Sequence, residues 1–496
     1  MDKKTVDAKA QKAAKSLKDS DKWKKLATWN DDGYYSLATE DLANCPVRMF
    51  VTHSLLQEME DIIYRQIVNA TRFPGVRMVV ITPDTHYGYG VPVGCVLVTD
   101  GAEGAIAMGP VGYDIGCGMM SARSNVSADE ATPEKRLKFN RIVMQKVSMG
   151  AGGKSHKLGR VTEKEFNNLI RGGAEYYVER YGASFDRSRA ERHRIPVEDS
   201  WQVPWGGAGR PERGQDQLGS LGGGNHFIEL QRAKETGTLF VQVHTGSRGF
   251  GHGLATNYFN IAKDEQPDKI TDIDLGYFTP ESKHYGSYLN AVAAGGNYAI
   301  LNRLVIFEQV AEAFKEVFGA DLELVYEISH NLVQREWHPD FGDVWVHRKG
   351  ATRAFPAGYP ALKGTPWEQT GHPVLIPGSN KDWSYILRPL PDAVKSCFSV
   401  NHGAGRRLSR GEANRQLNQH AIDEEYRAAG IIVNTDGHVP LDEAAPAYKS
   451  CTEVVKAVVN AGLAEIEYTL WPLASLKGVD ERRPRKKPGA KTGQHF

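Results

Sequence analysis

The chain has 496 residues, 41% hydrophobic and 24% charged, and its 61 basic and 60 acidic side chains leave a formal charge of +1. This is ordinary globular composition, and a prior of roughly 100 to 200 residues per domain admits up to three domains or one elaborated catalytic unit. The longest weakly polar run, 87–99, is broken by glycines and a proline, which excludes a membrane span of roughly 18 apolar residues. The amino terminus lacks the apolar core of a secretory signal, and five scattered cysteines are too few for a disulfide framework. The cytoplasm is the expected compartment, with each cysteine a free thiol and one of them a candidate ligand.

Along the chain, residues 1–25 hold nine lysines against four acids, a net +5. Apolar spacing predicts helices over 53–70, 161–181 and 295–318. Short apolar runs predict strands at 78–82, 93–99, 239–243, 322–327, 374–376 and 431–434. The Pro/Gly-rich stretches near 204–224 and 356–379 read as loops inside one domain, because motif-like residues flank them on both sides. Residues 479–496 carry a net +4. Basic ends of this kind are usually solvated, but they also attract phosphate backbones, so one or both tails are expected to assist nucleic-acid binding. Helices and strands interleave without a period, which gives a mixed α/β (α+β) class.

Fifty-one glycines invite a search for nucleotide loops, and the common ones fail. Gly88, Gly90 and Gly94 miss the dinucleotide register because Val93 holds its third place, and Gly153-Lys154-Ser155 lacks the P-loop's earlier glycine, where Ser148 stands. No His-Glu dipeptide and no Lys-x-Asp-Gly tetrapeptide is present. What remains is a set of polar, metal-capable residues in glycine-flanked loops after apolar runs. These are Asp84 and His86, Asp114 and Cys117, Asn225 and His226, His244, His330 and His402. One carboxylate, one thiol and three or more imidazoles form a mixed O/S/N donor set suited to one or two divalent ions. The other histidines, His53, His156, His193, His284, His338, His372, His420, His438 and His495, lack this setting and read as ordinary surface or hydrogen-bonded residues.

Six of these segments, in order, resemble the signatures of the RtcB family: Asp84-Thr85-His86-Tyr87-Gly88-Tyr89-Gly90, Asp114-Ile115-Gly116-Cys117-Gly118-Met119, Gly223-Gly224-Asn225-His226-Phe227-Ile228-Glu229, His244-Thr245-Gly246-Ser247-Arg248-Gly249, His347-Arg348-Lys349-Gly350-Ala351-Thr352-Arg353 and His402-Gly403-Ala404-Gly405-Arg406. The resemblance runs from about residue 44 to 478. It implies a GTP-dependent RNA ligase that joins a 3′-phosphate or 2′,3′-cyclic phosphate to a 5′-hydroxyl in RNA repair or tRNA splicing. The implied fold is one large catalytic domain, 31–478, with central β-sheets around a metal-containing cleft, between a basic extension 1–30 and a basic tail 479–496.

Carried over by position, the resemblance implies two manganese ions, one held by Asp114, Cys117 and His226 and the other by Cys117, His244 and His330. His402 would attack the α-phosphorus of GTP, with Asp84 orienting its ring. The GMP pocket would comprise Asn225, His226, Phe227, Ile228, Glu229, His330, Asn331, Pro377, Gly378, Ser379, Asn380, Ser384, His402, Gly403, Ala404, Gly405, Tyr448 and Lys477. Glu229 would accept from guanine and Tyr448 would stack on it. Arg248, Lys349, Arg353, Arg406 and Arg410 are the candidates for RNA phosphates. RNA is the expected partner, with or without an accessory activator, and no membrane.

The chain departs from the family after Ser379, where Asn380-Lys381-Asp382-Trp383 replaces small residues before Ser384. That puts the Ser384 contact and ordinary GTP handling in question. Two other readings stay open: a manganese-dependent phosphoesterase acting on RNA ends, with His402 as general acid, and an RNA-end-binding protein weakened in catalysis.

Overall fold

The computed structural model describes residues 17–182, 186–190 and 194–478. The basic tail 479–496 and the first sixteen residues of the amino-terminal extension lie outside the described residues. Trp23, within the stretch 1–30, is buried and stacks on Tyr64 at 5.7 Å, so the described part of that stretch packs on the body.

Two large sheets make the frame. One has seven strands, in the order Ala27–Asn30, Tyr34–Leu37, Val47–Met49, Val76–His86, Val93–Asp100, Gly342–Lys349, Asn331–His338. The other runs Glu323–Ser329, Gly118–Ser127, Thr238–Thr245, Phe227–Ala233, Ala464–Lys477, Ser384–Pro389, Val374–Ile376, with Ile432–Val433 added beside Ala464–Lys477. The class is mixed α/β, as expected.

Side chains alternate across each sheet with the two-residue period of a strand. In Val76–His86, Met78 and Val80 enter one apolar core with Val96, Val98 and Val346, while Val79 and Ile81 enter another with Cys95 and Leu97. Burial on both faces explains why these strands read as unbroken apolar runs. The eight-stranded sheet likewise puts Met120, Ile228 and Val243 under a long helix, with Met119, Phe227 and Ile328 on its other face.

That helix, Tyr285–Phe318, is buried at nearly every position from Asn290 to Val310, and ends at Gly319 in the left-handed conformation (φ 72°) that favours glycine. It starts ten residues before the predicted 295, and Tyr285, Tyr288, Leu289 and Val292 already stand at helical spacing on its first turns. The predicted helix 53–70 is two helices, His53–Glu58 and Ile62–Ala70, separated by extended backbone at Met59. The 161–181 helix is Glu163–Tyr181, capped by Thr162, whose hydroxyl accepts from the Glu165 N–H at 3.2 Å. Each predicted strand falls on an observed one. Strands such as Asn331–His338 and Ala464–Lys477 carry charges and, in the second, Pro472. A register shift at Pro472 absorbs the missing donor. Among the described residues no helix is long and apolar enough to cross a membrane.

Candidate active site

The chain passes from one sheet to the other at a single residue. Strand Glu323–Ser329 ends in the eight-stranded sheet, His330 follows, and Asn331–His338 begins in the seven-stranded sheet. Antiparallel register gathers the other candidates around this junction. Ser329 pairs with Gly118, Gly118 with Thr245, Met119 with His244, and His244 with Phe227. Cys117 and His226 each stand one residue before their strands and His244 one before the end of its own, so all point into the gap where the sheets part.

The donor atoms converge. Cys117 Sγ lies 3.6 Å from His226 Nε2 and 3.4 Å from His244 Nε2; His244 Nε2 lies 3.3 Å from His330 Nε2, and His226 Nε2 3.1 Å from Asp114 Oδ2. Two triads result, Asp114–Cys117–His226 and Cys117–His244–His330, with Cys117 common to both. The far ring nitrogens fix the tautomers. His226 Nδ1 faces the Leu221 carbonyl and His244 Nδ1 the Asn225 carbonyl, each at 3.0 Å, and a carbonyl only accepts. Both rings therefore turn an Nε2 lone pair toward the thiol, the arrangement a metal ligand needs.

Electrostatics agree. Burial, then the neighbouring imidazoles, holds His244 and His330 well below the usual histidine range, so both stay neutral. Burial and the Asp114 charge push the Cys117 thiol well up, so a thiolate here needs cations beside it. Burial would raise Asp114, but the hydrogen bonds around it, among them that of the Ser247 N–H at 2.9 Å, hold it well below the usual range. Gly246 must be glycine, since a Cβ there would stand 2.3 Å from both Asp114 oxygens. The donor set fits two divalent ions sharing a thiolate.

The seven-stranded sheet supplies Asp84, and His402 follows Ser399–Asn401, which pairs with Ala351–Arg353 in a separate two-stranded ribbon. Asp84 lies where the register of Val76–His86 slips between Ile81 and His86, which turns its carboxylate inward. One oxygen, Oδ2, accepts from His402 Nδ1 at 2.6 Å, from the His402 N–H at 3.0 Å and from the Gly403 N–H at 3.3 Å. Burial would raise this carboxyl, but His402 beside it and the hydrogen bonds from His402 and the Thr82 hydroxyl hold it below the usual range. Gly405 lets the loop press against Asp84, where a Cβ would meet the Asp84 carbonyl at 2.1 Å. The His402 ring centroid is 4.8 Å from that of His330.

All of this opens into one cavity of about 410 Å³. Its wall includes Asn225, Phe227, Glu229, His330, Asn331, Pro377 to Asn380, His402 to Gly405, Tyr448 and Lys477, most of the positions the family resemblance assigns to GMP. Three of those positions are not in that wall, and one of them, His226, belongs to the donor cluster against Cys117 and Asp114. Ile228 points to the opposite face of its strand, into the core under the long helix. Ser384 is buried behind the wall, where its hydroxyl accepts from the Gly378 N–H at 2.9 Å and from Gln231 Nε2 at 3.2 Å. The atypical residues turn outward too: Lys381 pairs with Glu425 at 2.8 Å, Asp382 accepts from the Cys451 N–H, and Trp383 packs edge-on to Trp471. Only Asn380 of the replaced stretch reaches the cavity.

The five cation candidates separate. Arg406, Arg410 and Lys349 line the cavity, and Arg248 and Arg353 do not. Arg248 donates to the Gly150 and Ala151 carbonyls, and Arg353 is buried with its guanidinium 4.5 Å over the Phe355 ring. Lys349 Nζ donates to the Tyr89 and Val91 carbonyls, and burial pushes its pKa down to about 8. Arg406 lies 4.9 Å over the Tyr448 ring and so competes with a base for one face of it.

Two residues central to this geometry carry no sequence signal. Glu443, buried, pairs with Arg406, Arg410 and Lys477 at 3.3, 3.1 and 3.2 Å. Arg303, in the long helix and fully buried, donates to the Gly116 carbonyl (2.7 Å), the Thr245 carbonyl (2.9 Å) and the Ser329 hydroxyl (2.8 Å), and pairs with Glu327. Each of those three acceptors is the chain neighbour of a candidate ligand: Cys117, His244 and His330.

Two mostly antiparallel sheets parting over a thiol-centred donor cluster, with a carboxylate-held histidine on its rim, define a class of mixed α/β protein with a built metal-binding cavity. A family model described as "tRNA-splicing ligase RtcB" matches residues 66–478. A tRNA-splicing ligase RtcB of Pyrobaculum aerophilum is 36% identical over 467 residues, which cover 87% of this chain and 95% of that protein. One of Thermococcus kodakarensis is 35% identical over 463 residues (87% and 95%), and an "RNA-splicing ligase RtcB homolog 2" of Entamoeba dispar 33% over 442 residues (84% and 83%). The chain belongs to the RtcB family.

Proposed function

We propose that this protein ligates RNA, joining a 3′-phosphate or 2′,3′-cyclic phosphate to a 5′-hydroxyl with GTP as activator and two manganese ions, in tRNA splicing or RNA repair. The observation that carries the reading is the His402–Asp84 pair at the rim of the donor cluster. Because Asp84 accepts from Nδ1, the neutral ring keeps its lone pair on Nε2, the state a nitrogen nucleophile requires.

His402 Nε2 attacks the α-phosphorus of GTP, a P–N bond forms, and pyrophosphate leaves. The guanylyl group then passes to an oxygen of the RNA 3′-phosphate, which frees His402. The 5′-hydroxyl attacks that activated phosphorus, loses its proton, and expels GMP with the bonding electron pair. A cyclic end is first opened by water. Asp114, Cys117, His226, His244 and His330 would hold the ions, which offset phosphate charge and keep Cys117 as thiolate. Manganese rests on the family, since thiolate and imidazole suit zinc equally. Glu229, in the cavity wall, is placed to accept from guanine's N–H groups.

Incubation with Mn²⁺ and α-labelled GTP tests this. The expected result is acid-labile, alkali-stable label on the protein, absent in His402→Ala. RNA-end hydrolysis without label would replace the ligase by a phosphoesterase, and neither activity would leave an end-binding protein.

A further inference from the structure

The wall of the cavity has a second section built by other elements. Tyr89, in the turn after Val76–His86, is 60% exposed although it lines the cavity. Its ring meets Tyr113 edge-on at 6.3 Å. Tyr113 directly precedes Asp114, stacks with Phe259 at 4.7 Å, and donates its hydroxyl to Asp274 Oδ1 at 3.0 Å. The Lys349 ammonium grips the Tyr89 carbonyl at 2.7 Å, so the tyrosine's backbone is held while its ring, edge-on to Tyr113, stays mostly exposed.

This section has the chemistry of a base site. An exposed, backbone-anchored ring in a cavity offers a π-face, and every nucleobase has one to match. The Asp274 carboxylate disfavours a phosphate here and suits the amino edge of a base. The loop 377–380, Tyr448 and Lys477, which carry the guanylate in the reading above, lie on other elements. A ligase must seat an RNA end within reach of the same donor cluster, and the Tyr113–Asp114 peptide joins this section to that cluster.

We propose that Tyr89 stacks on the terminal base of an RNA end and so sets the affinity for that end. This rests on the ligase reading. The test uses the full chain with Mn²⁺, GTP and RNAs that carry either a normal or an abasic terminal nucleotide at the 3′-phosphate or the 5′-hydroxyl end. Tyr89→Leu is expected to raise the KM for RNA about tenfold, toward the low end of what stacking contributes. It should leave His402 labelling by GTP unchanged, and Tyr89→Trp should restore the KM. An abasic nucleotide at the contacted end should weaken the wild type by a similar factor and Tyr89→Leu no further. An unchanged KM, or losses that multiply, would overturn the proposal. Labelling that weakens in Tyr89→Leu without RNA would also overturn it, because the stacked base would then be that of GTP. Should the wild type take no label, the ligase reading fails on its own, and the affinity of both proteins for the same RNAs, by fluorescence anisotropy, still decides the stacking.

Discussion

The donor cluster and the His402–Asp84 pair share one cavity but are held in different ways. Four of the five cluster ligands sit at strand ends and Asp114 in the loop just before one, and Arg303 ties the backbone or hydroxyl next to three of them to a buried helix. His402 hangs on one carboxylate oxygen, which also takes two backbone N–H groups. The ligands are fixed by the fold as a whole, the histidine by a single side chain. A cation site tolerates little movement of its donors, whereas a nucleophile needs one tautomer and room to reach phosphorus.

Asp84→Asn should show the sharpest effect on the second region. The amide can present its N–H to Nδ1 and so stabilise the wrong tautomer. Labelling by GTP should fall about ten-thousandfold, on the scale of an orienting carboxylate lost from a catalytic histidine. Manganese per chain, measured by equilibrium dialysis, should stay the same; a loss of metal would merge the two regions.

Arg303→Met probes the first. It takes the guanidinium away from the buried Glu327 carboxylate, a cost of about 3–5 kcal/mol, and should weaken manganese binding about 10- to 100-fold. Adding Glu327→Gln should recover much of the stability on denaturant titration but not the metal affinity. Full metal affinity in the double variant would show that Arg303 only fills the core.

A smaller effect separates the nucleotide wall from both regions. Burial pushes Glu229 up to about 7, so its acceptor form is present above that pH and lost below it. The KM for GTP should rise as pH falls through 7, approaching about tenfold per unit, and the dependence should flatten in Glu229→Gln. A profile unchanged in that variant would remove Glu229 from guanine recognition.

Ser384→Ala should do least. It strips one acceptor from the buried Gly378 N–H, which costs about 1 kcal/mol in denaturant titration, and the KM for GTP should barely move. A large rise in KM would restore the direct contact that the family resemblance implies.

Much of this was legible in the linear chain. Asp84, Asp114, Cys117, His226, His244, His330 and His402 stood out because each is a reactive side chain beside glycine or at the end of an apolar run, both local features. The central strands were legible because burial on two faces leaves an unbroken apolar run. The charged strand Asn331–His338 was not, because its partners lie far away in sequence and supply the burial that its own pattern does not announce. The same distance hid Glu443 and Arg303, whose roles exist only once Lys477 or Gly116 is beside them.

The sequence by itself determined the chemical inventory, since side-chain identity fixes which atoms can ligate, attack or accept. Only the tertiary structure decided which of them meet: Ile228 turned away by strand alternation, Ser384 set behind the wall, Tyr89 left open at the mouth. Register across two sheets and one buried arginine made those choices, and contacts of that range leave no trace in any short stretch of chain.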